Sequence, residues 1–243
     1  MKDTVVYGLH SVIEAIKAGK EIDKVLVKKG LGGELFMELY RLMVKDQIPY
    51  QFVPMEKLNR VTPKNHQGVV AYLQIVEYQK IEQIIPFLFD QGKNPFILVL
   101  DHVTDVRNFG SIARTAECAG VDAIIIPDKG AAQINSDAVK TSAGALHTIP
   151  VCRVPNLKNA IKFLSESGLQ IIAATEKAHK THFIIDYTAP VAIILGAEDT
   201  GISKEILALS NEQVSIPIRG KIESLNVSNA AAVMLYEAVR QRG

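Results

Sequence analysis

The chain has 243 residues and a mass of 26.6 kDa, which accommodates one or two domains with a substantial buried core. Hydrophobic residues make up 48% and charged residues 22%, which excludes a largely disordered chain. The formal net charge of +1 argues against a simple polybasic nucleic-acid binder. No apolar run approaches the length of a membrane helix, and the opening residues lack the pattern of a secretory signal, so we expect neither.

The cysteines and histidines offer little support for a disulfide or a metal site. Cys118 and Cys152 are the only cysteines and form no Cys-x-x-Cys pair, which predicts reduced thiols and a cytoplasmic location. His179 and His182 lie in a polar stretch with no nearby Cys or acidic partner, so a mobile loop is favoured over a metal site. We expect no bound metal.

Residues 1–75 alternate helical and strand patterns, which predicts a small α/β domain. Apolar spacing predicts helices at 8–19 and 34–47, and short apolar runs predict strands at 24–28, 50–53 and 68–75. This part carries 11 Lys and Arg against 8 Asp and Glu, a net charge of +3, whereas the rest of the chain has −2. The division fits a binding module joined to a catalytic module, and ordinary scatter of surface charge explains it equally well.

Residues 76–95 are predicted to be a linker, because a short helix-compatible segment there ends in a strong turn signal. From residue 96 onward apolar strands alternate with helices, which predicts a parallel sheet with helices on both faces. We expect strands at 96–100, 123–126, 169–174, 191–195 and 214–216. We expect helices at 110–119, 157–167, 204–209 and 225–240.

Three segments, 101–114, 193–202 and 216–232, place polar and small residues where a predicted strand ends. In parallel sheets such junctions meet at one edge, where loops and helix N-termini bind ligands. Each segment alone also fits a structural role: Asn108 as a helix cap with Arg114 on a solvated face, acidic residues at a helix start, or a capped core helix. Their common position favours a shared site, at which Gly110 and Gly196 allow close approach of the backbone.

Other known patterns are missing from the sequence. The 193–202 segment matches neither a dinucleotide-binding glycine motif nor a Walker loop, which argues against hydride transfer and ATP-dependent chemistry. No stripe of aromatic residues typical of RNA recognition is visible, and the chain has no Trp.

Together the three segments resemble the three ordered motifs of the SpoU/TrmH-type RNA 2′-O-ribose methyltransferases of the SPOUT superfamily. The matching residues are Asn108-x-Gly110-x-x-x-Arg114, Leu195-Gly196-Ala197-Glu198-x-x-Gly201, and Ile216-Pro217 followed by Ser224-Leu225-Asn226-Val227-Ser228. Two further stretches, Tyr7-Gly8-Leu9-His10-Ser11-Val12 and Asn65-His66-Gln67-Gly68-Val69-Val70-Ala71, are similar to the substrate-binding domain of the bacterial 23S ribosomal RNA guanosine subgroup. Gln241 and Arg242 match its usual ending, so the resemblance spans nearly the whole chain.

The resemblance implies an α/β protein with a ribosomal-protein-like RNA-binding domain at 1–75 and a parallel-sheet methyltransferase domain at 96–243. The second domain is expected to contain a C-terminal trefoil knot, an exception to the rule that chains do not thread loops. S-adenosyl-L-methionine is the implied cofactor and structured RNA, above all ribosomal RNA, the implied substrate. The implied assembly is a homodimer whose subunits complete each other's active sites, with no membrane or metal partner.

The same resemblance assigns residues by position. The implied cofactor contacts are Thr175, Gly196, Ile216 and Leu225. The implied catalytic or substrate-contacting residues are Asn108, Arg114, Glu198, Ser224 and Asn226. Family mechanisms make Arg114 the acceptor of the 2′-hydroxyl proton, but a guanidinium is a reluctant base, and anchoring the neighbouring phosphate is an equally physical role. Glu198 is expected to orient Asn108 or an arginine.

Two alternatives stay open at this point. The first is the same reaction on transfer RNA, against which the N-terminal domain weighs because transfer-RNA members of the family commonly use short helical extensions. The second is a non-catalytic RNA-binding or ribosome-assembly protein on the same fold, against which the presence of Arg114 and Asn226 weighs.

Overall fold

The computed structural model describes residues 5–243, and the chain forms two units that divide between Ile75 and Val76. Residues 1–4, in which we expect no secretory signal, lie outside the described residues. Within the described part of the chain, no helix combines the length and the apolar character needed to cross a bilayer.

Over residues 5–75, the first unit contains a four-stranded sheet and three helices. The strands are β1 (Val5–Tyr7), β2 (Ile22–Lys28), β3 (Tyr50–Val53) and β4 (Val69–Leu73), and the helices are α1 (Leu9–Lys17), α2 (Glu34–Lys45) and α3 (Met55–Val61). The sheet order is β1-β4-β2-β3, with β4 antiparallel to both neighbours and β3 parallel to β2 at the edge. The predicted α/β domain is confirmed, although the sequence analysis omitted the short elements β1 and α3.

The core of this unit lies on both faces of the sheet. Val25 and Val27 of β2 pack against α1 and α2, whereas Leu26 packs against Leu58 of α3. This division follows from the strand period of two, which sends successive side chains to opposite faces.

The two stretches that resemble a substrate-binding domain meet at the start of α1. The backbone N–H of Gly8 donates to the carbonyl of Val69 over 3.0 Å, and the N–H of Leu9 donates to Oε1 of Gln67 over 3.1 Å. Gly8 has φ +88°, and a Cβ there would lie 3.3 Å from the same Gln67 oxygen. These residues therefore fix the beginning of α1, which no side chain of its own caps.

The second unit is a seven-stranded sheet with helices around it. Its strands are β5 (Phe96–Asp101), β6 (Ala123–Pro127), β7 (Val151–Val154), β8 (Gln170–Ala174), β9 (Lys180–Thr181), β10 (Val191–Gly196) and β11 (Glu212–Ser215). Its helices are α4 (Ile81–Asp90), α5 (Val106–Cys118), α6 (Ser136–Thr141), α7 (Leu157–Glu166), α8 (Lys204–Leu207) and α9 (Val227–Arg242). The strand order is β7-β6-β5-β10-β8-β11-β9, and every neighbouring pair is parallel.

Both faces of this sheet are buried, which confirms the prediction from the sequence. On β5, Leu98 and Leu100 join the core formed with α5 and α9, whereas Ile97 and Val99 join the core formed with α4 and α7. Because both sides of the strand are covered, its sequence is continuously apolar rather than alternating.

Residues 76–95, expected to be a linker, carry α4 and belong to the second unit. Ile81, Ile85 and Leu88 of this helix are buried in the core on one face of the large sheet. The trefoil knot implied by the resemblance stays a prediction.

Candidate active site

A cavity of about 300 Å³ opens at the carboxyl edge of the large sheet. Its walls come from the loops that follow β8, β10 and β11 and from the first turns of α9. The four residues assigned to the cofactor, Thr175, Gly196, Ile216 and Leu225, all line this cavity. The structure therefore brings together residues that are up to 50 positions apart in the chain.

The chemistry of the lining suits a small molecule with one flat apolar part and one polar part. Buried Leu195, Val214 and Val227 supply an apolar wall, while Glu198 and Glu223 stand at the exposed rim. Cavities of this size and mixed character are typical of small-ligand sites.

Beside the cavity, one carboxylate joins the three motif segments. Oε1 of Glu198 accepts a hydrogen bond from Nδ2 of Asn108 and another, of 3.0 Å, from Nδ2 of Asn226. Nδ2 of Asn226 also lies 3.3 Å from Oδ1 of Asn108. The expectation that Glu198 orients Asn108 is consistent with this geometry, and the contact with Asn226 is an addition that the sequence did not indicate.

The helix starts explain how these side chains are placed. Asp105, and not Asn108, caps α5, since its Oδ1 accepts from the backbone N–H groups of Arg107 and Asn108 over 2.9 and 2.8 Å. Asn226 caps α9 through its Oδ1, which accepts from the N–H of Ser228 over 2.9 Å. The Asn226 amide can serve both purposes because its oxygen faces the helix while its nitrogen reaches Glu198.

Two glycines of the motifs stand where the backbone of a neighbouring segment leaves no room for a Cβ atom. A Cβ on Gly196 would lie 2.2 Å from the carbonyl carbon of Gly201 and 2.3 Å from the nitrogen of Ile202. A Cβ on Gly110 would lie 2.7 Å from the carbonyl oxygen of Ala138 in α6. The expected close approach at these positions is therefore made by neighbouring chain segments, and at Gly196 it also shapes the cavity wall.

Arg114 and Ser224 lie outside the hydrogen-bonded group. Arg114 is exposed on α5, two turns beyond the helix start, and makes no hydrogen bond or ion pair with any residue from 5 to 243. Ser224 is exposed and lines the cavity. Both side chains are therefore available to a bound molecule.

Asp101 is a buried carboxylate near the site that the sequence analysis did not single out. It ends β5 with 1% exposure, and its Oδ2 accepts from the backbone N–H of Ser203 over 2.8 Å, while its Oδ1 lies 2.5 Å from Nδ1 of His102. These contacts tie the end of β5 to the segment beyond β10. The sequence feature that could have pointed to Asp101 is its place directly after a predicted buried strand, because a buried carboxylate requires hydrogen-bond partners.

Comparison with known proteins agrees with this architecture. Residues 95–236 match the family model of the SpoU rRNA Methylase family, and residues 5–79 match a model described as RNA 2′-O ribose methyltransferase substrate binding. A protein named as a TrmH family tRNA/rRNA methyltransferase, from Staphylococcus saprophyticus, is 34% identical over 242 residues, covering 100% of this chain and 97% of that protein.

Two solved structures show the same fold over most of the chain. The SpoU methyltransferase AviRb from Streptomyces viridochromogenes, crystallised with AdoMet, has a TM-score of 0.62 and 27% identity over 98% of this chain and 90% of its own. An AdoMet-bound rRNA methyltransferase from Sinorhizobium meliloti has a TM-score of 0.63 and 26% identity, with 98% and 87% covered. The chain belongs to the SpoU rRNA methylase family and is an RNA methyltransferase of the SpoU/TrmH type.

Proposed function

We propose that this protein transfers a methyl group from S-adenosyl-L-methionine to a ribose 2′-hydroxyl of RNA, and that its target is a guanosine of 23S ribosomal RNA. The observation that supports this most strongly is the Asn108–Glu198–Asn226 group beside a cavity lined by all four proposed cofactor residues. The match of residues 5–79 to a substrate-binding model supports RNA as the partner.

When bound, the cofactor supplies an electrophilic methyl group on a sulfonium centre. The task left to the protein is to align the hydroxyl oxygen with that group and to assist loss of its proton. Glu198 holds two amide side chains in place, so that their remaining donors and acceptors present a rigid surface to a ribose. Ser224 adds a hydroxyl at the cavity rim.

Arg114 is assigned to the RNA as an anchor of the phosphate next to the reacting ribose. Its exposure and its lack of a protein partner among the described residues leave its guanidinium free for such a contact. Guanidinium groups bind phosphate through paired, charge-assisted hydrogen bonds. A phosphate held in this way stabilises charge near the reacting oxygen. Direct acceptance of the 2′-hydroxyl proton by Arg114 is the competing role.

The choice of ribosomal over transfer RNA rests on the first unit. The relatives' names include both RNA classes, so the same reaction on transfer RNA is the second candidate.

We also propose a homodimer in the cytoplasm, in which the exposed face of α9, including Tyr236 with 51% exposure, contacts the partner subunit. Exposed aromatic residues are enriched at such interfaces.

Methyl transfer to unmodified ribosomal RNA, with a labelled methyl donor, tests the reaction. We expect label in an alkali-resistant dinucleotide, because a methylated 2′-oxygen cannot attack the adjacent phosphate. Label on a base would refute the proposed reaction. Mapping 2′-O-methyl positions in total RNA after deletion of the gene then identifies the target, and a lost mark in transfer RNA would select the second candidate.

Replacement of Arg114 by Ala tests its role. We expect turnover to fall at least about 100-fold, as for loss of other transition-state contacts, with little change in cofactor affinity. The control is Lys162→Ala, which removes an exposed cation from α7 on the opposite face of the sheet. Unchanged turnover in Arg114→Ala would exclude a central role for this residue.

A further inference from the structure

Four aromatic rings form a connected cluster on the first unit. Phe36 and Tyr40 lie one turn apart on α2, and Tyr50 and Phe52 lie two residues apart on β3. The ring centroids are 6.1 Å apart for Phe36–Tyr40, 5.6 Å for Tyr40–Tyr50, 5.7 Å for Tyr50–Phe52 and 6.4 Å for Phe36–Phe52. We call this closed ring of contacts the aromatic platform.

The aromatic platform is anchored on one side and open on the other. Phe36 is 8% exposed and belongs to the core, whereas Tyr50 and Phe52 are 38% and 42% exposed. Both exposed rings lie on β3, the edge strand of the sheet. The tilted and edge-to-face packing restricts the exposed rings, so a flat group that binds them meets a surface already in place.

The first unit carries an excess of positive charge, with a net charge of +3 over residues 1–75, which favours an anionic partner. Arg41 and Lys45 follow Tyr40 on the same helix, are exposed, and form no ion pair with any residue from 5 to 243. The nearby carboxylate of Glu38 is 2.8 Å from Nζ of Lys17, which offsets its charge. Exposed aromatic rings on a basic unit are the combination that binds single-stranded nucleic acid, in which bases stack on the rings and cations attract the phosphates.

We propose that the aromatic platform binds unpaired bases of the substrate RNA by stacking on Tyr50 and Phe52. This inference rests on the proposed function for the RNA itself, and adds the surface and the kind of RNA that it recognises. Sequence-specific proteins contact RNA mostly at loops and bulges, whose bases are free to stack. A second copy of this chain, paired along β3, is the competing occupant. The net charge of +3 on residues 1–75 favours RNA, because two copies of this unit would carry the same excess of positive charge.

The sequence shows no stripe of aromatic residues, and the four rings form a cluster only in the folded unit. The two rings of the helix are spaced by four residues and the two rings of the strand by two, and the pairs are 10 to 16 positions apart in the chain. No single periodic pattern contains all of them. Only the packing of α2 against the sheet brings them together.

The chain has no Trp, so Phe52→Trp places a single fluorescent reporter on the platform. We expect an unstructured RNA of about 12 nucleotides to quench this Trp strongly, and a duplex of equal length to quench it little. The matched control is Phe87→Trp, which puts the reporter at a Phe with 60% exposure on α4 of the second unit. Quenching confined to Phe52→Trp supports stacking.

A second measurement uses affinity. Phe52→Ala should raise the Kd for the unstructured RNA about fivefold or more, as expected for loss of a stacked base, and Phe87→Ala should leave it unchanged. An unchanged Kd in Phe52→Ala overturns the proposal, as does an unquenched Phe52→Trp at RNA concentrations that saturate the protein. If the Trp emission of Phe52→Trp changes with protein concentration in the absence of RNA, the occupant is a second copy of the chain. This result also overturns the proposal.

The two proposals can fail separately. Stacking without any transfer of label to a ribose refutes the proposed methylation and leaves the aromatic platform in place. Methylation of ribose by a Phe52→Ala variant with an unchanged Kd refutes the platform and leaves the reaction in place. If the wild-type protein binds none of the RNA probes, the proposal that the aromatic platform binds unpaired bases is refuted directly.

Discussion

Glu198 is the residue at which the three motif segments converge. Its Oε1 accepts hydrogen bonds from Asn108 at the start of α5 and from Asn226 at the start of α9. The carboxylate thus couples two helix N-termini whose residues are 118 positions apart. A charged acceptor strengthens both bonds, so its removal frees two amides at once.

We expect Glu198→Ala to lower kcat about 10- to 100-fold, since loss of alignment at the reacting group costs rate rather than binding. Glu198→Gln should be milder, because its amide retains one acceptor oxygen. Measurement of kcat and of KM for the methyl donor separates the two effects. Glu205→Ala, which removes an exposed carboxylate on α8, should match the wild type. Equal rates for Glu198→Ala and wild type would contradict the positioning role.

Gly196 must be a glycine because neighbouring backbone atoms occupy the space that a side chain would need. Because a Cβ would lie within 2.3 Å of backbone atoms of Gly201 and Ile202, Gly196→Ala requires the 196–202 turn to move. We expect a loss of about 1–3 kcal/mol in the free energy of unfolding, together with weaker binding of the methyl donor. Gly220→Ala is the control, since nothing lies within 4 Å of its Cβ position. Urea unfolding and equilibrium binding measure both effects, and wild-type behaviour in Gly196→Ala would refute the packing argument.

At the scale of elements, the end of α9 is held by its last arginine. Arg242 donates to the backbone carbonyls of Asn94, Tyr187 and Ala189 over 2.9, 2.8 and 2.8 Å, and its guanidinium lies 4.7 Å from the ring centre of Phe96. Gln241 adds hydrogen bonds to the backbone of the same 185–189 segment. Gln241 and Arg242, which match the usual ending of the family, thus hold the C-terminal end of α9 in place, and Asn226 caps its N-terminal end.

Arg242→Ala leaves three carbonyls without this donor and should lower the free energy of unfolding by about 2–3 kcal/mol. Arg240→Ala is the comparison in the same helix and should cost less, because the exposed guanidinium of Arg240 binds the carboxylate of Glu237, at 2.7 Å, and no backbone carbonyl of residues 5–243. Urea unfolding measures the free energy of unfolding of both variants. Equal losses would show that the hydrogen bonds of Arg242 do not hold the end of α9.

At the scale of the whole molecule, a modest net charge is compatible with an RNA enzyme. The positive excess lies in residues 1–75, the part matched by the substrate-binding model and carrying the aromatic platform. A dimer would present two such units to one RNA. Binding would then draw on two weakly basic surfaces rather than on one strongly basic chain.

Light scattering tests the proposed dimer. We expect a mass of twice 26.6 kDa for the wild type. Tyr236→Asp should shift the mass toward the monomer and reduce methylation, because it buries a charge at the proposed α9 interface. Phe87→Asp changes an aromatic residue of similar exposure on α4 and should leave the dimer intact. An active wild-type monomer would contradict the proposed assembly.

Most strands and long helices were predictable because their apolar residues repeat with the period of the element. Glu34 and Leu157, for example, begin α2 and α7 where the patterns place them. The elements without a prediction are β1, α3, α6, β7 and β9, none of which exceeds seven residues, and over so short a segment a period is a weak signal. The helix expected from Leu225 begins at Val227, because the side chain of Asn226 caps it.

The sequence by itself determined the class of fold and the three motif segments, because the first depends on local pattern and the second on the order of the motifs along the chain. Only the tertiary structure decided which groups meet: Glu198 with two amides, Gly196 with the 201–202 backbone, and α2 with β3 in the aromatic platform. The physical reason is that these contacts join residues far apart in the chain. Sheet order and packing bring them together, and neither is written in the spacing of any one segment.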